Sequence, residues 1–314
     1  MLQSPMTFIK APYIDHLNIA LIVLSCIAAH YFPYHLFLLS YAVLGPAHYL
    51  TQISWLHDRN YFANGSFVLP LFLLLTLLLC ISPAPMVTAF LLSVTLALAL
   101  VSVMPAHRNW RASAAIGGFL FTCAIMVSPK VAMFIAVLLP TVLHVFVFTA
   151  LFMWIGAIKS GRMSAYCAFF SLLICAMTFL LPTQMMTAPN LAGIGFFTPL
   201  AAYMNSLLPS SIANPTQLFG FLGFAYTYHY LNWFSKAEII RWHQIPRARM
   251  LIIVIVYILS VSVYAYDYKA GFLLLLILSI LHVLLEFPLN LRTVAAIATT
   301  VSSRAARQMV RNRR

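Results

Sequence analysis

Long apolar runs separated by short polar breaks dominate this sequence from end to end. A hydrocarbon core about 30 Å thick is crossed by about 20 helical residues, and ten runs approach this length. The runs lie at 17–32, 34–56, 66–82, 86–104, 112–128, 131–157, 163–181, 214–234, 250–267 and 270–290. The pattern predicts an all-α, polytopic transmembrane helical bundle of about ten spans, with eight as the lower limit. Residues 1–291 form one transmembrane domain in this prediction, and 292–314 form a basic cytoplasmic tail.

One apolar stretch does not fit a simple span. Segment 182–213 is interrupted by Pro182, Pro189, Pro199 and Pro209, and each proline removes a helical hydrogen bond. Backbone broken in this way is tolerated at membrane depth only where protein or a polar cavity covers it, or where the segment lies in the interface. We expect a re-entrant loop or a pair of interfacial helices.

The overall composition excludes an ordinary soluble domain. The chain of 314 residues is 63% hydrophobic and 7% charged, with a mean hydropathy of +0.96, whereas soluble domains are about 25% charged. The net charge of +13 is spread over short loops, so we expect no nucleic-acid partner. The basic tail is expected to lie on anionic membrane lipid.

The basic residues also predict the orientation of the chain. If the N-terminus is cytoplasmic, 16 of the 18 lysines and arginines fall in cytoplasmic segments, as the positive-inside rule requires. Only Lys130 and Lys269 fall on the other side. The expected topology is therefore N-in and C-in.

Imidazoles lie inside several predicted spans, which is costly unless they have a function or a partner. With a rise of about 1.5 Å per residue, His48 lies nine residues, or about 13 Å, inside the boundary marked by His57. His229 lies about 10 Å inside Lys236, on the same scale. His144 lies near the middle of its span, and His282 lies in the cytoplasmic half of the last one. Four histidines from four spans at compatible depths predict a shared site.

Metal binding is the chemistry that best explains such a convergence. Neutral imidazole is a common metal ligand, and imidazole with carboxylate suits non-haem iron. His282 and Glu286 are four residues apart, on one helix face. The predicted metal ligands are therefore His48, His144, His229, His282 and Glu286. Partners of these ligands, or alternative ligands, are predicted to be His57, His107, Tyr228 and Asn232.

Four short motifs resemble the bacterial β-carotene 15,15′-dioxygenase family. They are GPAHYLTQISW, VLHVFVF, YTYHYLNWF and ILHVLLEFPLNLR. The resemblance implies a polytopic protein of the bacterial inner membrane that binds Fe(II) through membrane histidines. It also implies cleavage of a carotenoid to retinal with O₂ as co-substrate. Carried over by position, His48, His144 and His229 would be iron ligands, and His282 would match the closing motif.

The chain departs from two of the family motifs. In the first, Tyr49 and Gln52 stand where the family has Gly and Asp, and in the third, Trp233 stands where the family has a second His. His282 or Glu286 could replace a lost ligand. The expected substrate is accordingly a lipophilic small molecule with a long apolar body, with β-carotene as one case.

Three other functions are also compatible with these residues. A proton-coupled transporter would use the buried His and Glu side chains as a relay. A haem-binding membrane protein would use His144 and His229 as axial ligands. In a non-catalytic membrane partner or chaperone, the histidines would serve only in packing. Metal analysis of the purified protein separates these functions from an iron oxygenase.

Overall fold

The computed structural model describes most of the chain. The described residues are 12–59, 68–81, 139–181, 215–267, 270–290 without 273 and 287, 293–294, and scattered residues between 87 and 123. The predicted 182–213 segment, nearly all of the basic tail and the predicted site residue His107 lie outside these ranges.

All regular secondary structure in the described ranges is helical. The α-helices are α1 (Pro12–Tyr31), α2 (Pro33–Leu39), α3 (Gly45–Asp58), α4 (Val68–Ile81), α5 (Thr149–Ser160), α6 (Met163–Thr178), α7 (Pro215–Ser235), α8 (Ala237–Ile240) and α9 (Arg247–Tyr266), followed by α10 (Ala270–Asn290). Four helical stretches within these ranges are long and apolar enough to cross a membrane: Tyr13–Tyr31, Val142–Ser160, Arg247–Tyr266 and Ala270–Asn290. The prediction of an all-helical membrane protein is confirmed at this level.

Proline and glycine mark several helix ends. Helices α1, α2 and α7 begin at Pro12, Pro33 and Pro215. Proline is well suited to this position, because the N–H groups of the first turn have no partner within the helix and proline has no N–H. Helix α5 ends at Gly161, whose φ of +67° is left-handed. Its N–H donates to the Ala157 carbonyl at 2.9 Å, a frequent C-terminal cap.

Two segments are π-helical rather than α-helical. Ser40–Leu44 runs directly into α3, and Leu139–Phe148 runs directly into α5. In a π-helix, the carbonyl of one residue accepts a hydrogen bond from the N–H five residues later. Residues five apart therefore lie above one another, whereas in an α-helix it is residues four apart.

The chain divides into two compact units. Unit 1 contains Met1–His48 and Val142–Leu275, and unit 2 contains Tyr49–Thr141 and Leu276–Arg314. In unit 1, helices α1, α2, α6 and α7 pack around Ile22, Leu172 and Phe224, which are at most 1% exposed. In unit 2, buried leucines form the core: Leu56, Leu75, Leu284 and Leu285.

A partly buried polar network joins helices in unit 1 near the start of α1. Arg162 donates two hydrogen bonds to Asp15, from Nε at 2.7 Å and from Nη2 at 3.0 Å. Ser164 donates a third to the same carboxylate at 2.7 Å. The bonds to Asp15 raise the pKa of Arg162. Burial lowers the pKa of Lys236 to about 8, and the negative charge of Asp15 partly opposes this shift.

Helices α7 and α2 approach each other closely at Gly223. A Cβ atom at this position would lie 3.1 Å from the Pro33 carbonyl oxygen and 3.2 Å from the Phe37 nitrogen. Small residues at helix interfaces allow such approaches in membranes.

We expect Gly223→Ala to lower the free energy of unfolding by about 1–3 kcal/mol, because the facing atoms are backbone and cannot rotate away. The matched control is Gly156→Ala, where an added Cβ would meet nothing within 4 Å and alanine favours the helix. Unfolding in detergent with increasing denaturant measures both variants. Equal stability of the two variants would contradict the proposed close packing.

Candidate metal centre

Three of the predicted ligands lie together in unit 1, and each comes from a different element. His48 is in the first part of α3, His144 is in the Leu139–Phe148 π-helical segment, and His229 is in the second half of α7. Their exposed fractions are 1%, 2% and 9%. Solvation therefore does not account for these side chains, and their polar nitrogens need partners inside the protein.

The rings of these histidines contact one another. His229 Nε2 lies 3.1 Å from His48 Nε2, and the two ring centroids are 4.7 Å apart with an interplanar angle of 74°. The His144 and His229 ring centroids are 5.2 Å apart. His229 is thus the common neighbour of the other two rings.

This arrangement passes a geometric test for a shared ion. Two nitrogens bound at about 2.0–2.1 Å to one ion, at roughly a right angle, lie about 3 Å apart. The 3.1 Å between the two Nε2 atoms matches that separation. His48 and His229 belong to a group of side chains in the described part of the chain that could hold a metal ion.

The other nitrogen of His229 is bonded to a hydroxyl. Thr149 Oγ1 lies 2.7 Å from His229 Nδ1 and also donates to the Val145 carbonyl oxygen at 2.7 Å. The hydroxyl is buried, with Thr149 4% exposed. Histidine ligands in metal sites commonly have such a partner on the nitrogen that does not bind the metal.

Aromatic rings pack against His48. The Trp233 ring contacts it edge-on with centroids 5.4 Å apart, and the Tyr230 ring lies at 5.1 Å. Trp233 stands where the family motif has a second histidine, so at this position the chain supplies an apolar ring and an N–H donor instead of a ligand.

The other two predicted ligands lie in unit 2. His282 and Glu286 are 2% and 4% exposed and are one turn apart on α10. The Tyr49 ring stacks on His282 with centroids 4.3 Å apart. Gln52 and Glu286 are both buried in unit 2, at 3% and 4% exposed. That His282 and Glu286 share an ion with the histidines of unit 1 stays a prediction from the sequence.

The predicted partner residues differ in their surroundings. His57 is exposed, and its Nδ1 lies 3.4 Å from Asp58 Oδ1. Tyr228 is buried, and its hydroxyl donates to Asn18 Oδ1 at 3.0 Å. Asn232 is buried one helical turn after His229, and its Oδ1 has no hydrogen-bond partner among the described residues.

Thr149 is a site residue that sequence reasoning missed. It follows His144 by five residues, and α-helical geometry would place the two on different faces. The π-helical segment brings residues at this spacing to one face, and both side chains contact His229. A threonine five residues after a buried histidine indicates that the two share a helix face only if the segment is π-helical.

Comparison with known proteins gives no match for this chain. No protein-family model, no curated protein and no solved structure matches the chain. The site therefore has to be interpreted from its own residues.

Proposed function

We propose that the protein is an integral-membrane, histidine-ligated non-haem iron oxygenase that acts on a long apolar substrate. One observation carries the proposal: three buried histidines from three elements meet at His229, with 3.1 Å between His48 Nε2 and His229 Nε2 and 5.2 Å between the His144 and His229 ring centroids. A hydrogen bond between His48 and His229 uses one donor and one acceptor nitrogen, so pairing alone requires no third imidazole beside them.

The donor set favours iron among the biological metals. Imidazole suits zinc, copper, iron and nickel, and combining it with a carboxylate is typical of non-haem Fe(II) oxygenases. Glu286 is the carboxylate that the sequence predicts for this role. When bound, iron supplies the activation of O₂. The chain holds the ion and orients His229 through Thr149. The buried Tyr230 ring and the half-buried Trp233 ring would exclude water.

The substrate in this proposal enters from the bilayer. The surroundings of the histidines are aromatic, and the motifs that resemble the carotenoid dioxygenases imply cleavage of a polyene to retinal. Carotenoid cleavage is the specific form of the proposal, and oxidation of another long lipophilic molecule is the general form.

The proposed location of the protein is the bacterial inner membrane. Ten spans, with both termini in the cytoplasm, account for the distribution of the basic residues along the chain. The resemblance to a bacterial family favours the bacterial inner membrane.

The direct test is expression in bacteria that accumulate β-carotene. We expect loss of orange colour and appearance of retinal, measured by chromatography of extracted pigments. The His48→Ala variant is expected to leave the carotenoid intact, and the exposed His57→Ala variant to behave as the wild type. Purified wild-type protein without iron, or with the absorbance bands of haem, would contradict the proposal in its general form. If the wild-type protein binds iron but the carotenoid persists, carotenoid cleavage is excluded and the substrate is another long lipophilic molecule.

A further inference from the structure

The two hydrogen bonds of the Thr149 hydroxyl constrain where the proton of His229 lies. A hydroxyl has one proton, and a carbonyl oxygen can only accept. Since Thr149 Oγ1 is 2.7 Å from the Val145 carbonyl oxygen, the hydroxyl proton is donated there. The oxygen then accepts from its other neighbour, His229 Nδ1, also at 2.7 Å.

This direction of donation decides which nitrogen of His229 carries the proton. Because the Thr149 oxygen accepts, the N–H lies at Nδ1. In neutral imidazole, one nitrogen carries the proton and the other has the lone pair, so the lone pair lies on Nε2, the nitrogen 3.1 Å from His48.

We infer that Thr149 is a positioning residue that fixes His229 in the tautomer protonated at Nδ1, so that Nε2 carries the lone pair that a metal ion would bind. The inference rests on the proposed metal centre for its purpose, although the tautomer itself does not depend on a bound ion. The π-helical segment makes the arrangement possible, because it brings His144 and Thr149 to the same neighbour.

The test compares Thr149→Val, which keeps the shape and removes the acceptor, with Thr149→Ser, which keeps the hydroxyl. Thr293→Val is the matched control, because Thr293 is also buried and also donates to the carbonyl four residues earlier. Nitrogen-15 NMR of the full-length, metal-free protein in lipid measures the tautomer of His229. Anaerobic titration with Fe(II) against a competing chelator measures affinity.

We expect the wild type, Thr149→Ser and Thr293→Val to show the Nδ1-protonated form and similar Fe(II) affinity. In Thr149→Val, the Nε2-protonated form should appear, and the affinity should fall about 10- to 100-fold, as for other partners of metal-binding histidines. A single Nδ1-protonated form with unchanged affinity in Thr149→Val would overturn the inference. Equal losses in the Val and Ser variants would also overturn it, because they would indicate packing rather than hydrogen bonding.

Failure of the proposed function gives a different result. If the wild type itself binds no Fe(II), the metal centre is wrong, and the NMR spectra of the metal-free proteins still decide whether Thr149 sets the tautomer.

Discussion

His229→Ala is expected to abolish iron binding by the purified protein. His229 is the common neighbour of His48 and His144, so its removal leaves two imidazoles without the ring that joins them. We expect the wild type to retain about one iron per chain after purification under anaerobic conditions. The variant should retain less than about a tenth of that amount, since loss of a direct ligand exceeds the 10- to 100-fold cost of losing a ligand's partner. Elemental analysis measures the iron.

Two controls separate a lost ligand from a lost fold. His57→Ala removes an exposed imidazole and should leave the iron content unchanged. His229→Gln keeps a polar side chain of similar length, so its helical circular dichroism should match the wild type while its iron is lost. Wild-type iron content in either His229 variant would remove the main support for the metal centre.

The second large effect concerns stability rather than metal. We expect Arg162→Met to lower the free energy of unfolding by about 2–3 kcal/mol, because it leaves the Asp15 carboxylate buried without its bidentate partner. Breaking a fully buried pair costs about 3–5 kcal/mol. The Arg162 side chain is 33% exposed, and solvent screening reduces the loss. Denaturant titration in detergent, followed by circular dichroism, measures the change.

A double variant distinguishes the ion pair from general packing. Arg162→Met combined with Asp15→Asn removes the uncompensated charge, so it should recover part of the stability lost in Arg162→Met alone. Arg247→Met, at an exposed arginine at the start of α9, should be neutral within about 0.5 kcal/mol. A double variant less stable than either single variant would show that the charges themselves are not what holds α1 to this region.

The grouping of the histidines was the part of the site that the sequence could partly predict. Basic residues mark the boundaries of apolar runs, and the helical rise converts residue counts into expected depths. That reasoning selected His48, His144, His229 and His282. The structure brings the first three together in unit 1, whereas His282 lies in unit 2. The prediction required no knowledge of side-chain directions. It assumed only that ionisable side chains in an apolar medium pair with one another.

Helix boundaries could be predicted less well, and the reason is physical. Hydropathy placed the start of the first span at residue 17, whereas α1 begins at Pro12. The early turns include Asp15 and Asn18, which hydropathy counts as polar. Both are hydrogen-bonded inside unit 1, to Arg162 and Tyr228, and a paired polar group can be buried where an unpaired one cannot.

The π-helical segments were not predictable at all. Runs 34–56 and 131–157 were each expected to be one continuous helix, but each contains a stretch with wider turns. No residue type has a strong preference for hydrogen bonds five residues apart, so composition and periodicity carry no signal for them.

The π-helical turns affect how this chain would align with related sequences. A π-helical turn holds about one residue more than the α-helical turn it replaces. The five-residue segment 40–44 is therefore equivalent to about one inserted residue, and the ten-residue segment 139–148, which makes about two turns, to about two. When related sequences are aligned, gaps of this size are expected within the two segments. A chain that lacks the extra residues within 139–148 would have His144 turned away from Thr149. Such a chain would keep every histidine in its alignment column and still lose the arrangement around His229.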